Sequence, residues 1–206
     1  MLRAQFPNGG WPQVYPLMGG YHDAITFNDN TMVNVLRLLR DVARGRDEFA
    51  NVSAGTRARA AEAVARGVAC VLATQVPEAA WGQQHDALTL APTSARAFEM
   101  TALASAESAG ILRFLMELDD PDSAVIGAAH SAAVWLRAVP TVDEAWARFY
   151  EIGTDRPLFG DRDGSIHFDV REISRERREG YAWFSKSPAA ALEKYEKWKA
   201  KHPLKP

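Results

Sequence analysis

Residues 31–44 read TMVNVLRLLRDVAR, the clearest helical pattern in the chain. Apolar side chains recur there at every third or fourth position, which places five of them on one helix face: Met32, Val35, Leu36, Leu39 and Val42. Asn30 precedes the pattern as an N-cap, and Gly45 follows it as a stop. We therefore predict an amphipathic helix over these residues.

Similar helical signals recur along the rest of the chain, at residues 53–74, 105–118, 121–138, 169–179 and 188–201. No segment shows the alternation of apolar and polar residues that is expected of a half-buried strand. We predict a single domain over residues 1–206 with an all-α fold, in which antiparallel helix hairpins form an α/α toroid.

One short segment occurs twice. Gln, Pro, Trp and Gln stand at the same offsets in Gln5-Phe6-Pro7-Asn8-Gly9-Gly10-Trp11-Pro12-Gln13 and in Gln75-Val76-Pro77-Glu78-Ala79-Ala80-Trp81-Gly82-Gln83. Three long connections accompany this repeat, at residues 6–30, 76–104 and 140–168. We predict that these loops lie together at one functional end of the toroid, with a chance match of the two segments as the alternative.

Composition excludes several classes of function. The 206 residues carry 24 Lys and Arg against 26 Asp and Glu, so the strong positive charge of a nucleic-acid or anionic-membrane binder is missing. The single cysteine, Cys70, lies in an apolar run and is expected to be a buried thiol. No apolar run approaches the ~20 residues of a membrane span.

Aromatic and arginine side chains are concentrated in the predicted loops. Flat rings such as Trp11 and Trp81 suit the faces of sugars, although plugging the end of a helical barrel is an equal alternative. Four loop arginines, each able to bind a carboxylate with two hydrogen bonds, indicate an anion site: Arg96, Arg148, Arg156 and Arg162. Surface ion pairing is the alternative for each of them.

The segment Asn28-Asp29-Asn30 joins a loop to a helix. Three adjacent side chains with oxygen atoms suit calcium, but calcium needs about six oxygens and the same residues are also good helix caps. The spacing alone favours capping.

The loop motifs resemble those of the family 10 pectate lyases. The similarity runs in order through Ala4–Gln13, Ile25–Asn30, Gln84-His85-Asp86, Leu90-Ala91-Pro92 with Ala95-Arg96, Glu107–Met116, Trp146–Thr154, Arg156-Pro157, Arg162-Asp163-Gly164 and Arg178–Tyr181. Such colinear motifs are more specific than any single loop. The family carries further helices and another acidic site residue upstream, so the resemblance implies that this chain covers part of the catalytic domain.

The resemblance also implies an activity and a site. The expected reaction is calcium-assisted β-elimination of polygalacturonate, with Arg96 as the base and Asp29 as a calcium ligand. We expect substrate contacts from Arg148, Tyr150, Arg156, Arg162, His85, Trp11 and Trp81. A secreted or periplasmic monomer is expected, with no nucleic-acid or membrane partner.

Two other functions fit the same residues. A truncated, inactive homologue would bind acidic oligosaccharide without turnover. A helical scaffold for protein partners would bind neither calcium nor uronate. Arginine as a base requires surroundings that disfavour its charge, such as neighbouring calcium and other arginines.

Overall fold

The computed structural model describes residues 1–139 and 141–204. Pro140, where the third predicted connection begins, lies outside the described residues. Six α-helices form the described scaffold: α1 Thr31–Arg44, α2 Ala54–Ala73, α3 Ser105–Leu115, α4 Ser123–Ala138, α5 Arg175–Gly180 and α6 Ser187–Lys199. The helices predicted from the sequence are therefore present, with shifted ends for all but the first.

Helix α3 is the centre of the core. It packs against α1, α4 and α6, while α1 packs on α2. Ile111, Leu112 and Phe114 of α3 are fully buried, and so are Leu36 of α1 and Val71 of α2. Burial of such large apolar side chains stabilises the fold by about 1.5–3 kcal/mol each before the entropy of ordering is counted.

The all-α prediction is wrong. Ten short strands form three antiparallel sheets among the described residues, in the orders β1-β2-β3, β10-β6-β5 and β4-β7-β8-β9. The strands are β1 Ile25–Thr26, β2 Gln84–His85, β3 Pro92–Thr93, β4 Leu103–Ala104, β5 Thr141–Val142, β6 Ala145–Ala147, β7 Phe149–Tyr150, β8 Pro157–Gly160, β9 Ile166–His167 and β10 Phe184–Ser185. The fold is a mixed α/β fold rather than an α/α toroid.

Nine of these strands lie within the three connections predicted to be long loops. Each strand is only two to four residues long, so an alternating pattern cannot be recognised along it. Pairing joins segments that are far apart in sequence, as in the antiparallel register of Ile25 with His85 and of Leu103 with Tyr150. These strands therefore form only by pairing with distant segments, and the local sequence does not reveal such pairing.

The internal repeat is confirmed by its hydrogen bonds. The side-chain amide of Gln5 donates to Gly9 O and Ala63 O, and that of Gln75 donates equivalently to Ala79 O and Ala128 O. Three indoles also act alike, because Trp11, Trp81 and Trp146 each donate from Nε1 to a carbonyl ten residues upstream, those of Met1, Val71 and Leu136. Each repeated Gln thus ties its loop to a later helix, α2 or α4, and each Trp ties its loop to a carbonyl upstream.

Candidate active site

The loops and short strands surround a polar cleft of about 210 Å³, which we call the arginine cleft. Its lining consists of Gln13, Tyr21, Asn28, Asp29, Gln83, Gln84, Ala95, Arg96 and Glu99. A larger cleft of about 510 Å³ shares Tyr21 and Ala95 with it, and a small pocket of about 110 Å³ shares Asp29. The three spaces therefore adjoin and form one groove.

Arg96 lies on a turn that follows β3. Glu99 closes this turn, since its N–H donates to Arg96 O at 2.7 Å. The guanidinium donates to the Glu99 carboxylate through Nε at 2.7 Å and through Nη2 at 2.5 Å. The hydrogen bond with Glu99 raises the pKa of Arg96 above its already high ordinary value. The charged form is thereby favoured, which is the reverse of what a base requires.

Arg148 lies at the junction of β6 and β7 and binds three side chains across the cleft. Its Nη2 donates to Asn28 Oδ1 at 3.0 Å, to Glu107 Oε1 at 3.1 Å and to Gln83 Oε1 at 3.3 Å. Its side chain is only 14% exposed. Arg148 therefore joins the loop after β1, the loop before β2 and the first turn of α3.

Glu107 is the partly satisfied member of this group. It is buried in the first turn of α3, and its Oε2 accepts no hydrogen bond from the described residues. Burial raises the pKa of Glu107, and the positive charge of Arg148 offsets this rise only in part. A buried carboxylate oxygen beside a pocket can accept a proton or face a bound cation.

Asp29 lies in the same pocket with an unusual backbone. Asp29 and Asn30 have φ angles of 53° and 58°, the left-handed region that non-glycine residues rarely adopt. Asn30 Oδ1 packs so closely on α3 that a Cβ at Gly110 would lie 2.0 Å from it. Its side chain makes no capping hydrogen bond at α1. The structure thus does not show the capping role that the spacing favoured.

The donor set fits calcium only in part. Asp29 provides an exposed carboxylate, and Glu107 Oε2 and Asn30 Oδ1 have no hydrogen-bond partner in the described part of the chain. However, the described residues contain no group of three or more acidic, histidine or cysteine side chains that could hold a metal ion. Since calcium takes six to eight oxygens, these side chains would provide a fraction of its ligands.

A second arginine group surrounds the ring of Phe98. The guanidinium carbons of Arg96, Arg162 and Arg177 lie 4.7, 5.9 and 4.6 Å from the ring centroid. Arg162 is 63% exposed even though Glu176 accepts two hydrogen bonds from it at 2.9 Å. This places an accessible cation next to Arg96, at the edge of the arginine cleft.

Comparison with known proteins identifies the family. The pectic acid lyase family model matches residues 1–145 and 138–192. The chain belongs to the pectic acid lyase family. Two solved structures of a family 10 polysaccharide lyase from Cellvibrio cellulosa match with a TM-score of 0.90 and 33% identity, over 95% of this chain and 69% of theirs. One of them is a mutant in complex with trigalacturonic acid. No curated protein matches the sequence.

Four predicted substrate contacts of this pectic acid lyase family member are buried instead. Trp11, Trp81, His85 and Tyr150 are each at most 2% exposed, so none offers a ring face to a sugar. The two tryptophans hold the repeated loops in place, as described above. The structure therefore does not support a substrate-binding role for these side chains.

His85 and Tyr150 have their own structural partners. His85 Nε2 accepts from Gly82 N at 3.0 Å and its Nδ1 lies 2.8 Å from Leu90 O, while burial lowers its pKa to about 4. The hydroxyl of Tyr150 accepts from Ala147 N at 3.0 Å, and burial raises its pKa to about 12. Both side chains brace the loops that carry the groove.

Arg156 lies apart from the other predicted arginines. It pairs with Glu151, and its guanidinium carbon lies 3.9 Å from the ring centroid of Phe168. β7 and β8 form an antiparallel pair in which Tyr150 faces Pro157, so Arg156 and Arg148 lie at opposite ends of this pair. The structure brings together Arg96, Arg148, Arg162 and Asp29 but not Arg156.

Sequence reasoning missed two carboxylates and one tyrosine that belong to this site. Glu99, Glu107 and Tyr181 contribute to the site, but the sequence analysis gave none of them a role. The three-residue spacing of Arg96 and Glu99 was a usable signal for one of them. Glu107 and Tyr181 reach the cleft through tertiary packing, which spacing in the sequence cannot reveal.

No helix among the described residues is long and apolar enough to cross a membrane.

Proposed function

We propose that this pectic acid lyase family member binds polygalacturonate along the groove and cleaves it by calcium-assisted β-elimination. The observation that carries the proposal is the arginine cleft, where Arg96 and the exposed carboxylate of Asp29 line one polar space next to Arg162. Guanidinium groups match uronate carboxylates. The groove formed with the adjoining clefts suits a polymer rather than a compact ligand.

The arginines would divide the work of binding. Arg162 is accessible and would bind a uronate carboxylate directly, whereas Arg148 is largely buried and would hold Asn28 and Gln83 in place. Calcium bound with Asp29 as one ligand would supply positive charge next to the uronate carboxylate and so stabilise the charge that develops on loss of the C5 proton.

The bond changes of the proposed reaction balance without water. The C5 proton passes to the base, the C5–H electron pair becomes the C4–C5 double bond, and the C4 oxygen leaves with the C4–O electrons and later takes up a proton. Arg96 is the proposed base, and it can act only after its guanidinium has lost a proton. The product carries an unsaturated uronate end that absorbs in the ultraviolet.

A calcium-dependence assay tests this function. Polygalacturonate and calcium are incubated with the protein, and ultraviolet absorbance of the unsaturated product is followed with and without EDTA. We expect absorbance to rise with calcium and to stop with EDTA. A rise that ignores EDTA would remove the metal from the mechanism, and no rise at any calcium concentration would contradict lyase activity of this chain.

Two arginine variants test which surface binds the substrate. Arg162→Ala is expected to raise KM about tenfold, since loss of one charged contact costs about 1.4 kcal/mol. Arg156→Ala removes a similar exposed, paired arginine outside the groove and is the matched control, expected to leave KM unchanged. Equal effects of the two variants would place the substrate elsewhere.

Binding without turnover is the second candidate function. The Arg96–Glu99 pair favours it, since it stabilises the protonated guanidinium. Calorimetry with trigalacturonic acid would then show binding that Arg162→Ala weakens, while no unsaturated product forms. A secreted or periplasmic location and a monomeric state remain proposals that rest on the family resemblance, and size-exclusion chromatography of the purified chain checks the second.

A further inference from the structure

Glu99 is the most completely bonded acidic group in the groove. Its side chain is 3% exposed, and it accepts from Arg96 Nε, from Arg96 Nη2 and from Arg96 N at 3.2 Å. The hydroxyl of Tyr181 donates to Glu99 Oε1 at 2.7 Å. Two of the three guanidinium nitrogens of Arg96 are therefore engaged, and Nη1 is the nitrogen for which the described residues provide no hydrogen-bond acceptor.

Two aromatic rings fix the same guanidinium from the side. Its carbon lies 4.7 Å from the ring centroid of Phe98 and 5.7 Å from that of Tyr181, and these rings meet edge to face with centroids 5.1 Å apart. A guanidinium held by a carboxylate at one edge and by rings beside it has little rotational freedom. Tyr181 contributes to both constraints.

We infer that Glu99 is a positioning residue, supported by Tyr181, which fixes the Arg96 guanidinium with Nη1 left for the substrate. The inference rests on the proposed function, because it assigns Glu99 a role in the reaction of Arg96. The fixed orientation of the Arg96 guanidinium, which is the structural part of the inference, can be measured without turnover.

The charges around Arg96 give the direction of the effect on pH. Glu99 favours the protonated guanidinium, whereas burial and the positive charge of Arg162 oppose it. The hydrogen bond with Glu99 is the largest of these influences and raises the pKa of Arg96. The neutral base is therefore a minor form at any working pH, and kcat should rise with pH along an acid limb as this fraction grows.

Removing the charge of Glu99 should move that limb. In Glu99→Gln the neutral guanidinium forms more readily, so the acid limb of kcat is expected to shift to lower pH by about one unit or more. The maximal kcat should also fall, because an amide cannot accept both hydrogen bonds. Tyr181→Phe keeps the charge and is expected to shift the limb less. Glu117→Gln is the matched control, since Glu117 forms a similar two-bond pair with Arg37 outside the groove.

A spectroscopic measurement separates this inference from the proposed function. In protein labelled with ¹⁵N-arginine, the Arg96 Nε–H, assigned by its loss in Arg96→Lys, should exchange slowly with water in the wild type and Glu117→Gln and rapidly in Glu99→Gln. A wild type without lyase product but with this protected signal would end the proposed function and leave the locked guanidinium standing. An active Glu99→Gln with an unmoved acid limb, or an unprotected Nε–H in the wild type, would overturn the inference.

Discussion

Two arginine–glutamate pairs flank the ring of Tyr181, and they differ in how fully the glutamate is bonded. The guanidinium carbons of Arg96 and Arg148 lie 5.7 and 5.0 Å from that ring. Glu99 uses both oxygens toward Arg96, whereas Glu107 uses one toward Arg148, and its Oε2 has no hydrogen-bond partner among the described residues. Two glutamates of similar burial thus belong to one saturated and one unsaturated pair.

The difference shows that hydrogen bonds decide whether the pKa of a buried carboxylate is lowered or raised. Burial by itself raises the pKa of Glu99, but the hydrogen bonds from Arg96, Tyr181 and Gln83 outweigh it and bring the pKa to about 2. For Glu107 burial dominates and the pKa is raised. The saturated pair is a rigid support, while the unsaturated pair keeps an oxygen available beside Asp29.

The largest expected effect comes from replacing each arginine by lysine. Arg96→Lys should lower kcat at least about a hundredfold, since loss of a general base costs about 10²–10⁴ in rate. Arg148→Lys should mainly raise KM, because Arg148 holds the cleft together without taking the proton. Steady-state kinetics on polygalacturonate measures both, with Arg37→Lys in the remote pair as the control.

Comparable kcat losses in Arg96→Lys and Arg148→Lys would contradict the proposal that Arg96 acts as the base and Arg148 only holds the cleft together. A kcat for Arg96→Lys close to that of the wild type would assign the base elsewhere in the groove.

The next effect is on stability in acid, where the two glutamates should act in opposite directions. Glu99 has a folded-state pKa below its unfolded value. Its contribution to the free energy of unfolding is therefore present above about pH 4.5 and is lost as the pH falls toward about 2. That contribution is worth up to about 3 kcal/mol. Glu107 has a raised pKa, so its protonation favours the folded state, and its contribution is lost as pH rises.

Urea unfolding between neutral pH and about pH 3 measures how the free energy of unfolding changes with pH. Glu99→Gln should flatten the acid loss of stability, and Glu107→Gln should steepen it. Parallel curves for the wild type and both variants would show that neither carboxylate has a shifted pKa in the folded state.

The helical scaffold was predictable because its signals are local. The apolar period over Thr31–Arg44 and the stop at Gly45 are read from neighbouring residues, and the structure places a helix there. The strands were not predictable, since β1 and β2 consist of two residues each and exist only through their partners. Only the repeat of Gln5 and Gln75 signalled that the loops were ordered.

The site was predictable as a set of charged groups but not as a geometry. Arg96, Arg148, Arg162 and Asp29 follow from the loop motifs, and the structure brings them together. Trp11 and Trp81, which were predicted to belong to the same site, are buried instead. The residue types in a sequence do not show directly which side chains are buried. Likewise, the pKa of Arg96 is raised by its hydrogen bond with Glu99 across the turn, and the residue types alone do not reveal this bond.

The smallest expected effect is that of Glu107→Gln at neutral pH. Glutamine resembles the protonated carboxyl that burial favours, so we expect a free energy of unfolding within about 1 kcal/mol of the wild type, or slightly above it. Glu107→Ala instead opens a void and should cost more. Denaturant unfolding at pH 7 measures both variants. A loss of about 3 kcal/mol or more in Glu107→Gln would mean that Glu107 is charged and well paired, and that the two pairs around Tyr181 are alike after all.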